Sequence, residues 1–293
     1  MTEPATPGDR DEATGVLQGP SVQTWLEAFR RAAEANKTIF AEHRGIAARS
    51  SYSGFGEGGD HTLVIDSLCE EAVLAELESV HSEGHDFTAI TEERGTVAFG
   101  DPAAPLRVVI DPIDGSLNAR RTVPCHSLSI AVADGDSMAD VRIGYVYEFG
   151  AGEEFLAVAG QGSSLDGERV RVPGGDDLAV VAIESSAPEL VIPAAQVLVG
   201  HTFRLRSPGT IAVSLCWSGA GRLDAMFTAR PCRSVDVAAG QLIVREAGGH
   251  VAFGDAALAD LPLDLEARYN VASARTPGDL EIVRRAQQAA LEA

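Results

Sequence analysis

Asp111-Pro112-Ile113-Asp114-Gly115-Ser116 is the stretch from which the rest of the chain is read. The apolar run before it, Leu106, Val108, Val109 and Ile110, reads as a buried strand. Pro112 and Gly115 fix a tight turn at the strand's end, so two carboxylates are delivered as hard oxygen ligands. Gly115 and Ser116 follow with backbone amides free to face an anion. Asp-Pro and Asp-Gly pairs are also ordinary turn chemistry, so a solvated turn is the competing reading of the segment alone.

Three further segments carry acids in similar settings. Ala89-Ile-Thr-Glu-Glu93 places a carboxylate pair after a short apolar step. Ser234 to Gly249 places Asp236 in the first turn of a helix that Gly248 and Gly249 would end. Gly58-Gly-Asp-His-Thr-Leu-Val-Ile-Asp66, with Glu70 beyond it, sets Asp60, Asp66 and Glu70 around another helix start. Each has an ordinary alternative: Glu92 and Glu93 as a solvated pair, Asp236 as an acid facing the helix dipole, Asp60 as an N-cap, Asp66 and Glu70 as an exposed helix face. Their joint occurrence with the 111–116 turn argues against those alternatives.

In this order and at these separations the four segments resemble the inositol monophosphatase family, the lithium-sensitive, magnesium-dependent sugar phosphatases, from about residue 21 to the C-terminus. The stretch Ala229-Arg-Pro-Cys-Arg-Ser-Val-Asp236, with Gly58-Gly-Asp-His-Thr62, is most similar to the archaeal-type inositol monophosphatase/fructose-1,6-bisphosphatase branch. The resemblance implies a layered αβαβα sandwich of the sugar phosphatase type. It also implies two or three Mg2+ ions, with Mn2+ as a substitute. The first would be held by Glu92, Asp111 and the carbonyl of Ile113, the second by Asp111, Asp114 and Asp236, and a weaker third by Asp60 with Glu92 shared. Ser116 stands where the family usually has threonine, and the resemblance pairs its hydroxyl with Asp66 to orient the attacking water, with Glu92 as the third catalytic group. Oxygen-only ligands suit magnesium or manganese rather than zinc.

For the substrate, Gly115, Ser116 and the glycine-led turn Gly209-Thr210-Ile211 match the family's phosphate and polyol contacts. Arg204, Arg206, Arg230 and Arg233 are candidates for a second phosphate, Arg230 foremost. Thr228 stands where relatives often carry an acid that binds sugar hydroxyls, and Val235 where a tryptophan is common. The expected substrate is inositol monophosphate or a related sugar phosphate, with fructose 1,6-bisphosphate, histidinol phosphate and nucleotide 3′-phosphate as alternatives. A non-catalytic binding relative is the competing class, but such a protein has no physical need for so many mutually repelling carboxylates.

Composition agrees with such an enzyme. The chain has 293 residues, 45% of them hydrophobic, enough for one large core or two joined ones. A formal charge of −20 argues against nucleic acid or an anionic membrane as partner, and obliges an anionic substrate to be drawn by bound cations and local arginines. No run approaches the roughly 18 apolar residues of a membrane span, and the start is polar and acidic, so a cytoplasmic protein is expected, as a homodimer. Cys69, Cys125, Cys216 and Cys232 show no paired spacing, and the seven histidines are scattered, so neither disulfides nor zinc are expected.

Pattern reading divides the chain into a disordered tail (1–20), an N-terminal α+β subdomain with the metal site (21–178) and a C-terminal α/β subdomain with the substrate pocket (179–293). Helices are expected over Ser21–Arg44, after Asp60, over Thr210–Ser218, from Ser234 and from Pro277. Strands are expected at Arg107–Ile110, Ser127–Ala133, Val141–Tyr147, Phe155–Ala159, Val180–Glu184, Val197–Val199, Leu223–Phe227 and Asn270–Ser273, with a hairpin at Asp166-Gly167 and a loop over Arg49–Gly59.

Overall fold

The computed structural model describes residues 19–55, 61–175, 178–185 and 187–293. The expected tail lies almost wholly outside the described residues, and so does Asp60. In chain order the elements are α1 (Val22–Glu42), α2 (Ile46–Arg49), β1 (Tyr52–Phe55), β2 (His61–Leu63), α3 (Val64–Ser82), β3 (Phe87–Thr91), β4 (Gly95–Phe99), β5 (Arg107–Asp114), α4 (Ser116–Arg121), β6 (Ser127–Ala133), β7 (Val141–Glu148), β8 (Glu153–Val158), β9 (Gly162–Leu165) and β10 (Glu168–Val170). There follow β11 (Leu178–Glu184), α5 (Pro188–Leu198), β12 (Thr202–Arg206), α6 (Ile211–Gly219), β13 (Ala225–Thr228), α7 (Ser234–Glu246), β14 (His250–Phe253), β15 (Val271–Ala274) and α8 (Pro277–Leu291).

Strands β3 to β10 form an eight-stranded sheet in the order β10-β9-β8-β7-β6-β5-β3-β4, and β11 to β15 a five-stranded sheet in the order β12-β11-β13-β15-β14. Side-chain alternation decides what each sheet face touches. On the large sheet, Val108, Ile110, Leu128 and Ile130 pack with Trp25, Phe29, Val73 and Leu77 of α1 and α3. The opposite face presents Val109, Ala131 and Val146 to Leu215, Leu242 and Ile243 of α6 and α7, which meet Met226 and Val271 of the small sheet on their other side. Beyond the small sheet, Val181, Ile183 and Phe227 are covered by Ala194 and Leu198 of α5 and by Val283, Ala286 and Ala290 of α8. The order is therefore αβαβα. Because β5 is covered on both faces, its sequence reads as an unbroken apolar run and not as an alternation.

Most expected elements are present, and the differences have physical causes. Val197–Val199 is not a strand: Val197 and Leu198 end α5, because Ala194 and Leu198 lie one turn apart on the face that docks on the small sheet, and docking overrides β-branched propensity. The loop expected after Arg49 contains β1, paired antiparallel with β2. The second helix begins at Val64, where Asp66 at its third position accepts the Leu63 amide at 3.4 Å. The Asp166-Gly167 hairpin has both residues at positive φ, 50° and 81°, as a two-residue turn matched to strand twist requires.

Helix α7 lies so close to the large sheet that Gly144 of β7 has no room for a side chain, since a Cβ there would stand 2.6 Å from the Ala239 carbonyl oxygen. This contact seats the helix that carries Asp236. Gly144→Ala should cost about 1–3 kcal/mol through overpacking, read as a lower denaturant midpoint at unchanged slope. A midpoint equal to the native one would show that α7 is not held at this spacing.

Candidate active site

The 111–116 turn forms as its residues dictate. The Asp111 carboxylate accepts the Ile113 amide at 3.0 Å across the register shift between Asp111 and Asp114 at the end of β5, and the Ser116 hydroxyl donates to the Ile113 carbonyl at 2.8 Å. Gly115 then takes a left-handed conformation, φ 88°, and caps α4. Opposite stands Gly209, φ 85°, just before α6. A Cβ on Gly115 would lie 3.1 Å from the Gly209 carbonyl oxygen and 3.2 Å from Thr210 Cβ, and one on Gly209 would lie 2.9 Å from the Asn118 amide nitrogen. Asn118 of α4 ties the turns together by donating to the carbonyls of Cys125 (2.8 Å) and Pro208 (2.7 Å).

Asp114 crosses from the large sheet to the start of α6. Its carboxylate accepts the Thr210 hydroxyl and the amides of Ile211 (3.2 Å) and Ala212 (2.8 Å). A carboxylate at a helix N-terminus is favoured by the unpaired amides and by the helix dipole. The Asp236 carboxylate accepts the Arg233 amide at 2.6 Å at the start of α7, and its charge raises the pKa of Asp111. Glu92, at the end of β3, is held by the Arg233 guanidinium at 2.5 Å, with Asp236 3.8 Å from the same nitrogen.

The four acids Glu92, Asp111, Asp114 and Asp236 thus converge from β5, α7 and the turn after β3, and all show the strain of it. Burial pushes Glu92 up to about 7 against the pull of Arg233, and Asp114 up to about 7. Burial, with Glu92, Asp114 and Asp236 around it, holds Asp111 well above the carboxylate range, and burial raises Asp236. Burial works against the Arg233 charge, but Glu92, Asp236 and Asp111 outweigh it and raise its pKa.

Asp66 and Glu70 are not an exposed helix face: both are buried, and Glu70 accepts the amides of Glu93 (3.2 Å) and Arg94 (3.3 Å). Asp66 stands near Glu92 and Glu93, with burial first and those charges second raising it to about 7. Its Oδ1 is buried and has no hydrogen-bond partner among the described residues. Ser116 bonds to the Ile113 carbonyl rather than to Asp66.

Other candidates stand apart. Thr228 has no exposed surface; its hydroxyl accepts the Val271 amide at 3.2 Å and its carbonyl the Gln287 side chain at 3.0 Å, so no face remains to meet a substrate. Arg230 is exposed and pairs with Glu189 at 3.3 Å. Arg204 lies over the ring of Phe203 on the edge strand. The sequence grouped Arg233 with Arg204, Arg206 and Arg230, yet Arg233 is the one paired with Glu92 in the acid cluster. All four cysteines are free, and among the described residues no helix is long and apolar enough to cross a membrane.

Glu184 was missed. It ends β11 fully buried, accepts the Gly209 amide (3.0 Å) and the Ser214 hydroxyl (2.5 Å), and so fixes the turn that grips Asp114. Its signal was the apolar run Val180–Ile183 delivering an acid to a strand end, the same pattern as Ile110-Asp111.

Among the described residues no three His, Cys, Asp or Glu side chains are grouped closely enough to hold a metal ion as they stand. The donor set nevertheless fits a hard divalent cation. It is oxygen-only, and its carboxylates repel one another by more than the single charge of Arg233 relieves.

The chain matches the sequence profile of the Inositol monophosphatase family over residues 21–291. It is 32% identical over 238 residues to a fructose-1,6-bisphosphatase/inositol-1-monophosphatase of Archaeoglobus fulgidus, covering 79% of this chain and 87% of that one. A protein of the same name from Methanothermobacter thermautotrophicus is 30% identical over 282 residues, 93% of this chain and 98% of that one. A solved inositol monophosphatase–fructose 1,6-bisphosphatase superposes with a TM-score of 0.78 at 25% identity, covering 89% of this chain and 99% of that chain. A profile match over nearly the whole chain defines the class, a metal-dependent phosphatase acting on phosphoric monoesters. The chain belongs to the inositol monophosphatase family.

Glu184 gives a pH dependence with a definite sign. Burial raises its pKa from 4.5 to about 7, so the folded chain holds a proton that the unfolded chain releases between those values. Its stabilisation is complete below about pH 4.5 and is lost as pH rises through 7, roughly 3 kcal/mol at most. Glu184→Gln should therefore flatten the fall in melting temperature between pH 4.5 and 7. Parallel curves for variant and native chain would rule this out.

Proposed function

We propose that this chain is a magnesium-dependent phosphomonoesterase acting on inositol monophosphate or a related sugar phosphate. One observation supports the reading: the Gly115 turn and the Gly209 turn meet beside four converging carboxylates, so the backbone at Gly115 and Ser116 stands next to candidate cation ligands. Glu92, Asp111 and the Ile113 carbonyl would hold one ion, and Asp111, Asp114 and Asp236 a second; Mn2+ would serve in place of Mg2+. Asp60, outside the described residues, is proposed for a third with Glu92. Such ions neutralise phosphate oxygens, acidify a water and steady the leaving alkoxide.

The chain's own residues do the rest. The amides of Gly115 and Ser116 and the Gly209-Thr210-Ile211 turn are proposed to bind the phosphate and orient its polyol. Thr210 and the Ala212 amide hold Asp114 so that its charge faces a fixed direction. The Ser116 hydroxyl, the buried carboxylate of Asp66, and Glu92 are proposed to orient the attacking water and accept its proton. Activity on fructose 1,6-bisphosphate is supported by the names of the archaeal relatives. We place the division between metal-bearing and substrate-bearing halves at residues 178 and 179, and the working form as a cytoplasmic homodimer.

Phosphate release should require magnesium when inositol 1-phosphate, fructose 1,6-bisphosphate, histidinol phosphate and a nucleotide 3′-phosphate are compared. No release from any of them, with or without the metal, would overturn the proposal. Asp111→Asn keeps the shape of the proposed bridging ligand and removes its charge. Its kcat should drop at least about a hundredfold, or ~3 kcal/mol, with an unchanged circular dichroism spectrum; near-native turnover would remove Asp111 from the role.

A further inference from the structure

We propose that Arg233 is a built-in cation that keeps the acid cluster assembled without metal and gives up Glu92 when a divalent ion binds. The inference rests on the metal-dependent reading above and assigns a role to a residue outside the proposed ligand set. Three observations lead to it. The guanidinium donates to Glu92 Oε1 at 2.5 Å, so a proposed ligand oxygen is already engaged. The same nitrogen lies 3.8 Å from Asp236, and the Asp111 charge also acts on it, so one fixed positive charge serves three acids. Both partners of the Glu92 pair are largely shielded, at 17% and 18% side-chain exposure, where an ion pair is screened less than at the surface.

The backbone explains why this arginine can serve where its neighbours cannot. Arg233 occupies the N-cap of α7, and its own amide is bonded to Asp236 three residues on. The main chain is pinned there, which directs the side chain toward Glu92. A tethered guanidinium satisfies the acids at no cost in translational freedom, but it carries one charge where a magnesium ion carries two. It also offers hydrogen bonds where carboxylate oxygens would coordinate an ion directly. Ion and arginine therefore compete for the same oxygen of Glu92. The absence of a ready three-ligand cluster among the described residues is the expected state of such a site with the arginine in place.

The consequence is a trade between assembly and affinity. Without Arg233 the metal-free acids repel one another unrelieved, while a divalent ion meets Glu92 unoccupied and one positive charge fewer. Arg233→Gln should bind Mn2+ on the order of tenfold more tightly by calorimetry, or about 1.4 kcal/mol. Its metal-free melting temperature should fall below native, and its rise on adding Mg2+ should exceed the native rise. Equal or weaker Mn2+ binding by the variant, while the native chain binds normally, overturns this inference and leaves the phosphatase reading standing. A native chain that binds no divalent ion sinks both.

A second measurement needs no disruptive variant. In the native chain the Arg233 side-chain N–H signal, assigned by its loss in Arg233→Lys, should be protected from exchange without metal and become mobile on saturation with Mg2+. An unchanged, protected signal under saturating Mg2+ overturns the inference.

Discussion

The capture of Asp114 by the first turn of α6 is the contact on which the architecture turns. Asp114 belongs to the large sheet and Thr210, Ile211 and Ala212 to the segment that opens α6, so a single carboxylate joins the two halves of the sandwich. The join is an anion on unpaired helix amides, among the stronger local electrostatic contacts a backbone can offer. It also dictates where glycine must stand. Gly115 and Gly209 both stand at positive φ in crowded places, Gly115 against the Gly209 carbonyl and Gly209 against the Asn118 side chain, and Glu184 holds the second turn from below.

A buried carboxylate cluster is costly unless something positive completes it. Asp111, Asp114, Asp236 and Glu92 all sit above their ordinary pKa because burial and their mutual repulsion disfavour charge, and Arg233 relieves only part of it. That tension is what a folded core with no catalytic duty would eliminate by substituting apolar residues. Its survival at the junction of the two sheets, where amides of two turns already face inward, couples the chemistry to the fold. Helix α7 brings Asp236 to the junction only because Gly144 lets it lie against β7.

Much of this was legible in the sequence. The β5 run, its Asp-Pro-Ile-Asp-Gly-Ser turn, the Thr210 cap and the Asp236 helix start are local signals, set by periodicity, proline and glycine geometry and capping, so they survive reading one segment at a time. The element at Val197–Val199 was misread because local propensity favours a strand, while the docking face of α5 was decided by a sheet far away in sequence. Thr228 was misplaced for a similar reason, since the identity of a residue says nothing of whether Val271 and Gln287 will close over it.

By itself, then, the sequence determined the elements around the site and the chemical type of the side chains they carry, because oxygen donors, tight turns and helix starts are properties of a few neighbouring residues. Tertiary structure alone decided which charges meet. Arg230 and Arg233 are three residues apart and chemically identical, yet one pairs with Glu189 at the surface and the other enters the acid cluster. Glu184 and Glu92 likewise end apolar strands in different sheets, and only the stacking of the sheets through α6 and α7 makes one a brace for a turn and the other a partner for Arg233. Electrostatic energy depends on distance through space and on burial, and neither is fixed until the layers have packed.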